Sequence, residues 1–155
     1  MNITEANDEE ISVVTNLIHQ AFQEYAGVLH PPSGALSETV EGIRNKINGR
    51  GGAIIVRDDE SVPVGTAIYY FEQDYMYIGR VAVIPSHRGL GIGLSLLAFL
   101  EEKAQRKGCF KTRVGVRLSL PENIEWYRRL GYVPVEEREY PDQTDRWYVM
   151  LKELA

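Results

Sequence analysis

The stretch Val81-Ala82-Val83-Ile84-Pro85-Ser86-His87-Arg88-Gly89-Leu90-Gly91-Ile92-Gly93-Leu94 constrains this chain more than any other. A strand stops at a proline, three glycines follow at alternate positions, and an amphipathic run begins. Glycine lets a backbone turn tightly and approach a ligand with no Cβ in the way. The first amides of the helix then point into the loop, backed by the positive end of the helix dipole. Such an arrangement holds phosphate, and Arg88 adds a cation with five donors. The same segment would also serve as a plain strand-to-helix turn, but strand, glycines, arginine and helix in series favour an anion. Two nucleotide readings fail at named positions. A dinucleotide fingerprint needs its third glycine where Leu94 stands, and a P-loop needs Gly-Lys-Ser/Thr where Gly93-Leu94-Ser95 stands.

The surroundings predict a mixed α/β (α+β) fold in one domain, residues 1–155. Asn7 and Glu10 form a capping box for a helix with the stripe Ile11, Val14, Ile18, Ala21, Phe22 and Tyr25, ended by Gly27. His30-Pro31-Pro32-Ser33-Gly34 breaks the chain, and Ser37 is expected to cap a shorter helix on Val40, Ile43 and Ile47. Strands are predicted over 52–57, 62–73 and 75–83. The last has two apolar sets, Tyr75/Tyr77/Val81/Val83 and Met76/Ile78/Ala82, as in a strand covered on both faces. A helix follows over 92–107, then a strand over 111–116, a short helix over 123–130, and strands over 133–140 and 146–152. With an opening strand, the order is strand, two helices, three strands, helix, strand, helix, two strands. It does not alternate as a doubly wound fold would.

Composition removes several functions. The net charge of −5, from 17 Lys+Arg and 22 Asp+Glu, argues against a nucleic-acid partner. Cys109 is the one cysteine, so an internal disulfide and a multi-cysteine metal site are excluded. It reads as a small buried hydrophobe. His19, His30 and His87 have no ligand spacing, so no metal is expected. The chain has no apolar run of transmembrane length and its first residues lack a signal pattern, so the expectation is a cytoplasmic protein without a membrane partner. The charge is uneven. Between Arg80 and Arg129 stand 10 Lys+Arg against 4 Asp+Glu, a local balance of +6 that suits a polyanionic ligand.

The pattern R-x-x-G-x-G after V-x-V resembles the acyl-CoA loop of the GNAT superfamily of N-acetyltransferases. Arg88, Gly91 and Gly93 carry it, with Val81-Ala82-Val83 and Pro85 ahead. Some thirty-five residues on, Asn123-Ile124-Glu125-Trp126-Tyr127-Arg128-Arg129-Leu130-Gly131-Tyr132 is similar to the family's Asn…Tyr…Gly-aromatic element. The resemblance implies a central, mostly antiparallel sheet of about seven strands, with helices on both faces. It also implies that the strand near Lys111 splays from the one ending at Val83.

The resemblance further implies acetyl-CoA as donor, held by Arg88, Gly89, Leu90, Gly91, Ile92 and Gly93. The backbone of Val81, Ala82 and Val83 would pair with the pantetheine arm. Backbone amides near Val81 would stabilise the oxyanion of a tetrahedral intermediate. Tyr127 stands where the family has its general acid, a role that the flanking motif favours over packing of the Trp126-Tyr127 helix face. Asn123 would contact the pantetheine or thiol region. Many relatives carry a glutamate before the loop where this chain reads Tyr77-Ile78-Gly79-Arg80. Glu72, working through water, is the substitute base considered, against its reading as a solvated strand end. Tyr25 and His30 are the acceptor-pocket candidates.

The expected reaction is direct attack of a primary amine, small-molecule or peptide, on the thioester. A catalytically weak acyl-CoA sensor is the alternative. Acceptors from protein N-termini to polyamines, aminoglycosides and amino acids stay open. Many relatives form homodimers, and Tyr140, Trp147 and Tyr148 are either such an interface or core.

Overall fold

The computed structural model describes residues 1–155, and its architecture follows from apolar residues on both faces of one sheet. The strands are β1 (Asn2–Glu5), β2 (Gly51–Arg57), β3 (Pro63–Phe71), β4 (Met76–Val83), β5 (Lys111–Arg117), β6 (Val133–Glu139) and β7 (Arg146–Glu153). The helices are α1 (Ile11–Phe22), α2 (Val40–Ile47), α3 (Ile92–Arg106) and α4 (Pro121–Arg129). The seven strands run in the order β1-β2-β3-β4-β5-β7-β6, all pairs antiparallel except β4–β5. The predicted order and fold class are therefore those observed.

Alternation along β2 builds both cores. Ile54 and Val56 face α3, while Ala53 and Ile55 face α1 and α2. The α3 stripe of Ile92, Leu96, Leu97, Leu100 and Ala104 is buried against the sheet. Each of its larger side chains contributes about 1.5–3 kcal/mol of burial. On the opposite face α1 packs on β2, β3 and β4, and α2 on β2 and β3.

Capping explains where α1 starts. Asn7 accepts from the Glu10 amide and Glu10 from the Asn7 amide, each at 3.0 Å, and a 3₁₀ turn leads into the helix. The expected cap at Ser37 is corrected. Ser37 ends a 3₁₀ turn over Gly34–Ser37, and Thr39 caps α2 by accepting from the Gly42 amide at 2.9 Å. Both hydroxyls suit the role, and only Thr39 has the extended backbone that precedes a helix.

The two apolar sets expected for β4 are also corrected. Pairing with β3 slips between Thr66 and Ile68, and Arg80 adopts φ +52. The extra residue inverts the side-chain phase. Met76, Ile78, Val81 and Val83 thus share the α3 side, and Ala82 turns to α1.

Candidate active site

The β4–β5 pair is the opening in the sheet. Register joins only Met76 to Thr112 and Tyr77 to Arg113, so from Ile78 onward β4 has no partner on that edge. A parallel pair that ends early leaves a row of backbone donors and acceptors for an extended ligand. The predicted splay is present.

Beyond β4 the chain passes through a 3₁₀ turn, Pro85–His87, into the glycine loop. Gly89 and Gly91 have φ +78 and +80, a region an L side chain enters only at a cost, and Gly91 is the residue before α3. The amides of Gly89 through Leu94 have no partner in the protein, so six donors at a helix N-terminus lie open. A Cβ on Gly93 would sit 3.4 Å from the Trp126 ring, in ordinary van der Waals contact, so packing on α4 does not itself require glycine there.

Arg88 departs from expectation. Its guanidinium donates to Val83 O at 3.1 Å and Ala21 O at 2.8 Å, and it pairs with the Glu24 carboxylate. The side chain expected to meet an anion instead pins the loop to the C-terminal end of α1. The donors that the loop leaves open are its backbone amides.

A cleft of about 400 Å³ continues from the splay. Its walls come from the end of α1 and the chain after it, α2, β3, β4, β5, α4 and the β6–β7 hairpin. Of the residues singled out in the sequence, Tyr25, Val81, Asn123 and Tyr127 line it. Asn123 and Tyr127 are one turn apart on α4, so the helix presents both on one face. The Tyr127 ring is wedged edge-on against Trp126 and Tyr132, with centroids at 4.9 and 5.6 Å. Its hydroxyl has no protein partner. Burial, with a smaller contribution from Tyr77, drives its pKa far above the ordinary tyrosine value. Burial also raises Tyr25, as does the Glu24 charge, while the Asn123 amide acts against them.

Two expected residues lie elsewhere. Glu72 is exposed at the β3–β4 turn and pairs with Arg50 at 2.6 Å, away from the cleft lining. It is removed as a base. His30 is exposed, and its neighbours Leu29, Ser33 and Gly34 line the cleft instead. Gly79 stands in the cleft wall, where a Cβ would lie 3.0 Å from the Tyr77 ring, so a larger residue there would have to shift that ring.

Sequence reading missed the far wall. Tyr70 and Tyr77 stack at 5.1 Å, and Tyr140 packs on Trp147 at 4.7 Å, all four in the lining. Tyr140 and Trp147 therefore line the cleft, and Tyr148 packs against the core on the α3 side. The signal available was alternation: Trp147 pairs with Arg117, placing both on the cleft side of their strands.

The family model for the acetyltransferase (GNAT) family matches residues 15–132. The chain belongs to this family. An acetyltransferase of Agrobacterium fabrum is 27% identical over 82 residues, which cover 53% of this GNAT chain and 58% of that relative. This match spans little more than half the relative's length. The ribosomal-protein-S18-alanine N-acetyltransferase of Escherichia coli superposes with a TM-score of 0.81 at 16% identity, covering 99% of this chain and 94% of that one. The PaiA N-acetyltransferase of Thermoplasma acidophilum, solved with coenzyme A, gives 0.78 at 17% identity, covering 98% of each chain. These structures share the fold. No helix is long and apolar enough to cross a membrane.

Proposed function

We propose that this GNAT protein transfers an acetyl group from acetyl-CoA to a primary amine by direct attack. One observation carries the reading: the β4–β5 pair opens beside six free loop amides and leads into a cleft containing the Tyr127 hydroxyl. The amides of Gly89, Leu90, Gly91, Ile92 and Gly93 would hold the pyrophosphate, and the β4 edge at Val81, Ala82 and Val83 the pantetheine arm. Coenzyme A supplies an acyl group activated as a thioester.

Backbone amides at the Arg80 bulge supply donors for negative charge developing at the acyl oxygen. Tyr127 holds a proton on its hydroxyl at neutral pH, as an acid for the departing sulfur must. Asn123 orients groups between Tyr127 and Tyr25. No Asp or Glu lines the cleft, so the amine loses its proton to water or binds already neutral.

Thermal unfolding with and without acetyl-CoA tests the reading. At a hundredfold excess over Kd the stabilisation is about 2.7 kcal/mol, or about 5–10 °C for a chain of this size. No shift at millimolar acetyl-CoA overturns it. The lack of a carboxylate base favours one other reading, an acyl-CoA sensor without turnover. Thiol release with a panel of amines separates the two, because a sensor binds the ligand and releases none.

A further inference from the structure

Every charged residue lining the cleft is a cation: Lys46, Arg80 and Arg117. The carboxylates that balance them stand behind the wall. Glu38, buried, accepts from Lys46 Nζ at 2.6 Å and from Arg80 Nε at 2.8 Å, both on Oε2. Asp145, half-buried as a residue but with its side chain only 9% exposed, accepts from Arg117 Nε at 2.8 Å and from the Ser119 hydroxyl at 2.5 Å.

Both arginines are therefore anchored the same way. Each guanidinium spends its Nε on a largely covered carboxylate and keeps its Nη groups free of hydrogen-bond partners in the protein. Arg117 is the sharper case. Its side chain is only 10% exposed, and its Nη2 is buried with no hydrogen-bond partner. A buried N–H left unpaired is costly, and it is kept where something else completes it. Only one other buried side-chain nitrogen lacks a partner, Arg113 Nε, and Arg113 lies outside the lining. Arg80 lies against Gly34, where a Cβ would come within 3.0 Å of Nη2, so a glycine keeps that guanidinium in place.

A fork of two Nη groups on a guanidinium held at Nε matches a carboxylate in shape and charge. A second ammonium on the acceptor would instead meet like charge with no acidic residue to receive it. The aromatic walls do not reverse this, because Arg50 covers the Tyr70 ring at 4.1 Å and Arg117 the Tyr140 ring at 4.6 Å.

We propose that the acceptor is a small amine that also carries a carboxylate, an amino acid or a compound of that class, gripped by the Nη groups of Arg117 and Arg80. This rests on the N-acetyltransferase reading. The cleft volume of about 400 Å³ suits a molecule of that size.

The test compares free amino acids with their carboxamides as acceptors, by thiol release from acetyl-CoA. A carboxamide has the more easily deprotonated α-amine, so chemistry alone favours it. The expected result is at least one acid whose kcat/KM exceeds that of its carboxamide by about tenfold or more, as a charge-assisted contact provides. Arg117→Lys keeps a cation for Asp145 and removes the fork, and should erase the preference while the acetyl-CoA thermal shift persists. If R117K fails to fold, Arg80→Met carries the test, since Glu38 keeps Lys46. Carboxamides used as well as acids across the panel, no turnover of any amino acid despite an acetyl-CoA shift, or a preference surviving in both variants would overturn the proposal. Absence of the acetyl-CoA shift itself strikes the parent reading instead.

Discussion

Tyr127 shows how one side chain's surroundings set its chemistry. Its ring is fixed by Trp126 and Tyr132, and its hydroxyl opens to the cleft without a protein partner. Burial raises its pKa, so the phenol stays protonated well past the pH where a free tyrosine, near pKa 10, begins to ionise. The Tyr127→Phe variant should lower kcat by about 10²-fold, the lower end for a lost general acid, with the acetyl-CoA thermal shift unchanged. The parent enzyme should show no alkaline fall in kcat below about pH 10. Undiminished kcat in Y127F would assign the ring to packing alone. Tyr127 and Asn123 were legible because helical spacing fixes which residues share a face. Glu72 and His30 were not, because loop and strand-end residues carry no such period. Arg88 misled for another reason: its spacing to the glycines is right, but its side chain reaches across the fold to Ala21 and Glu24, contacts no local pattern encodes.

Among the elements, the glycine-loop segment was the most readable, since proline, glycines and the α3 stripe agree on one geometry. The bulge in β4 was the least. Arg80 holds φ +52 without a glycine or asparagine to announce it, and that single residue exchanges which side chains face α3 and α1. The glycines separate by use. Gly91 is left-handed, so Gly91→Ala should cost about 1–2 kcal/mol in urea unfolding and weaken the acetyl-CoA shift. Gly93 has ordinary helical backbone and 3.4 Å of clearance to Trp126, so Gly93→Ala should keep or gain about 0.5–1 kcal/mol. Equal losses at both positions would mean that packing on α4, not the left-handed turn, makes the loop need glycine.

At the scale of the molecule, the basic segment between Arg80 and Arg129 is not the free positive surface that its balance of +6 suggests. Arg80, Arg88, Lys103, Lys111 and Arg117 each take a carboxylate from outside the segment: Glu38, Glu24, Glu5, Asp74 and Asp145. Folding thus distributes the acidic excess over the basic stretch, and what the glycine loop offers an anion is amides and dipole more than net charge. Two of these carboxylates bind the molecule to pH. Burial alone would raise Glu38, but the hydrogen bonds from Lys46 and Arg80 together outweigh it and hold its pKa below the ordinary 4.5. Asp145 likewise overcomes burial through Ser119 and Arg117 and lies below the ordinary 3.8. A carboxyl with a lower pKa folded than unfolded adds stability above the unfolded value, and loses it as pH falls through the folded one. Urea midpoints should therefore drop as pH is lowered from about 4.5 downward. Glu38→Gln should lose about 2–3 kcal/mol at pH 7, less than the 3–5 kcal/mol of a wholly buried pair because Lys46 and Arg80 reach solvent. Its midpoint should then fall less steeply than the parent's below that pH, having no carboxylate left to protonate at this position. Parallel curves for E38Q and the parent would take Glu38 out of the acid transition and leave Asp145 and the surface carboxylates to account for it.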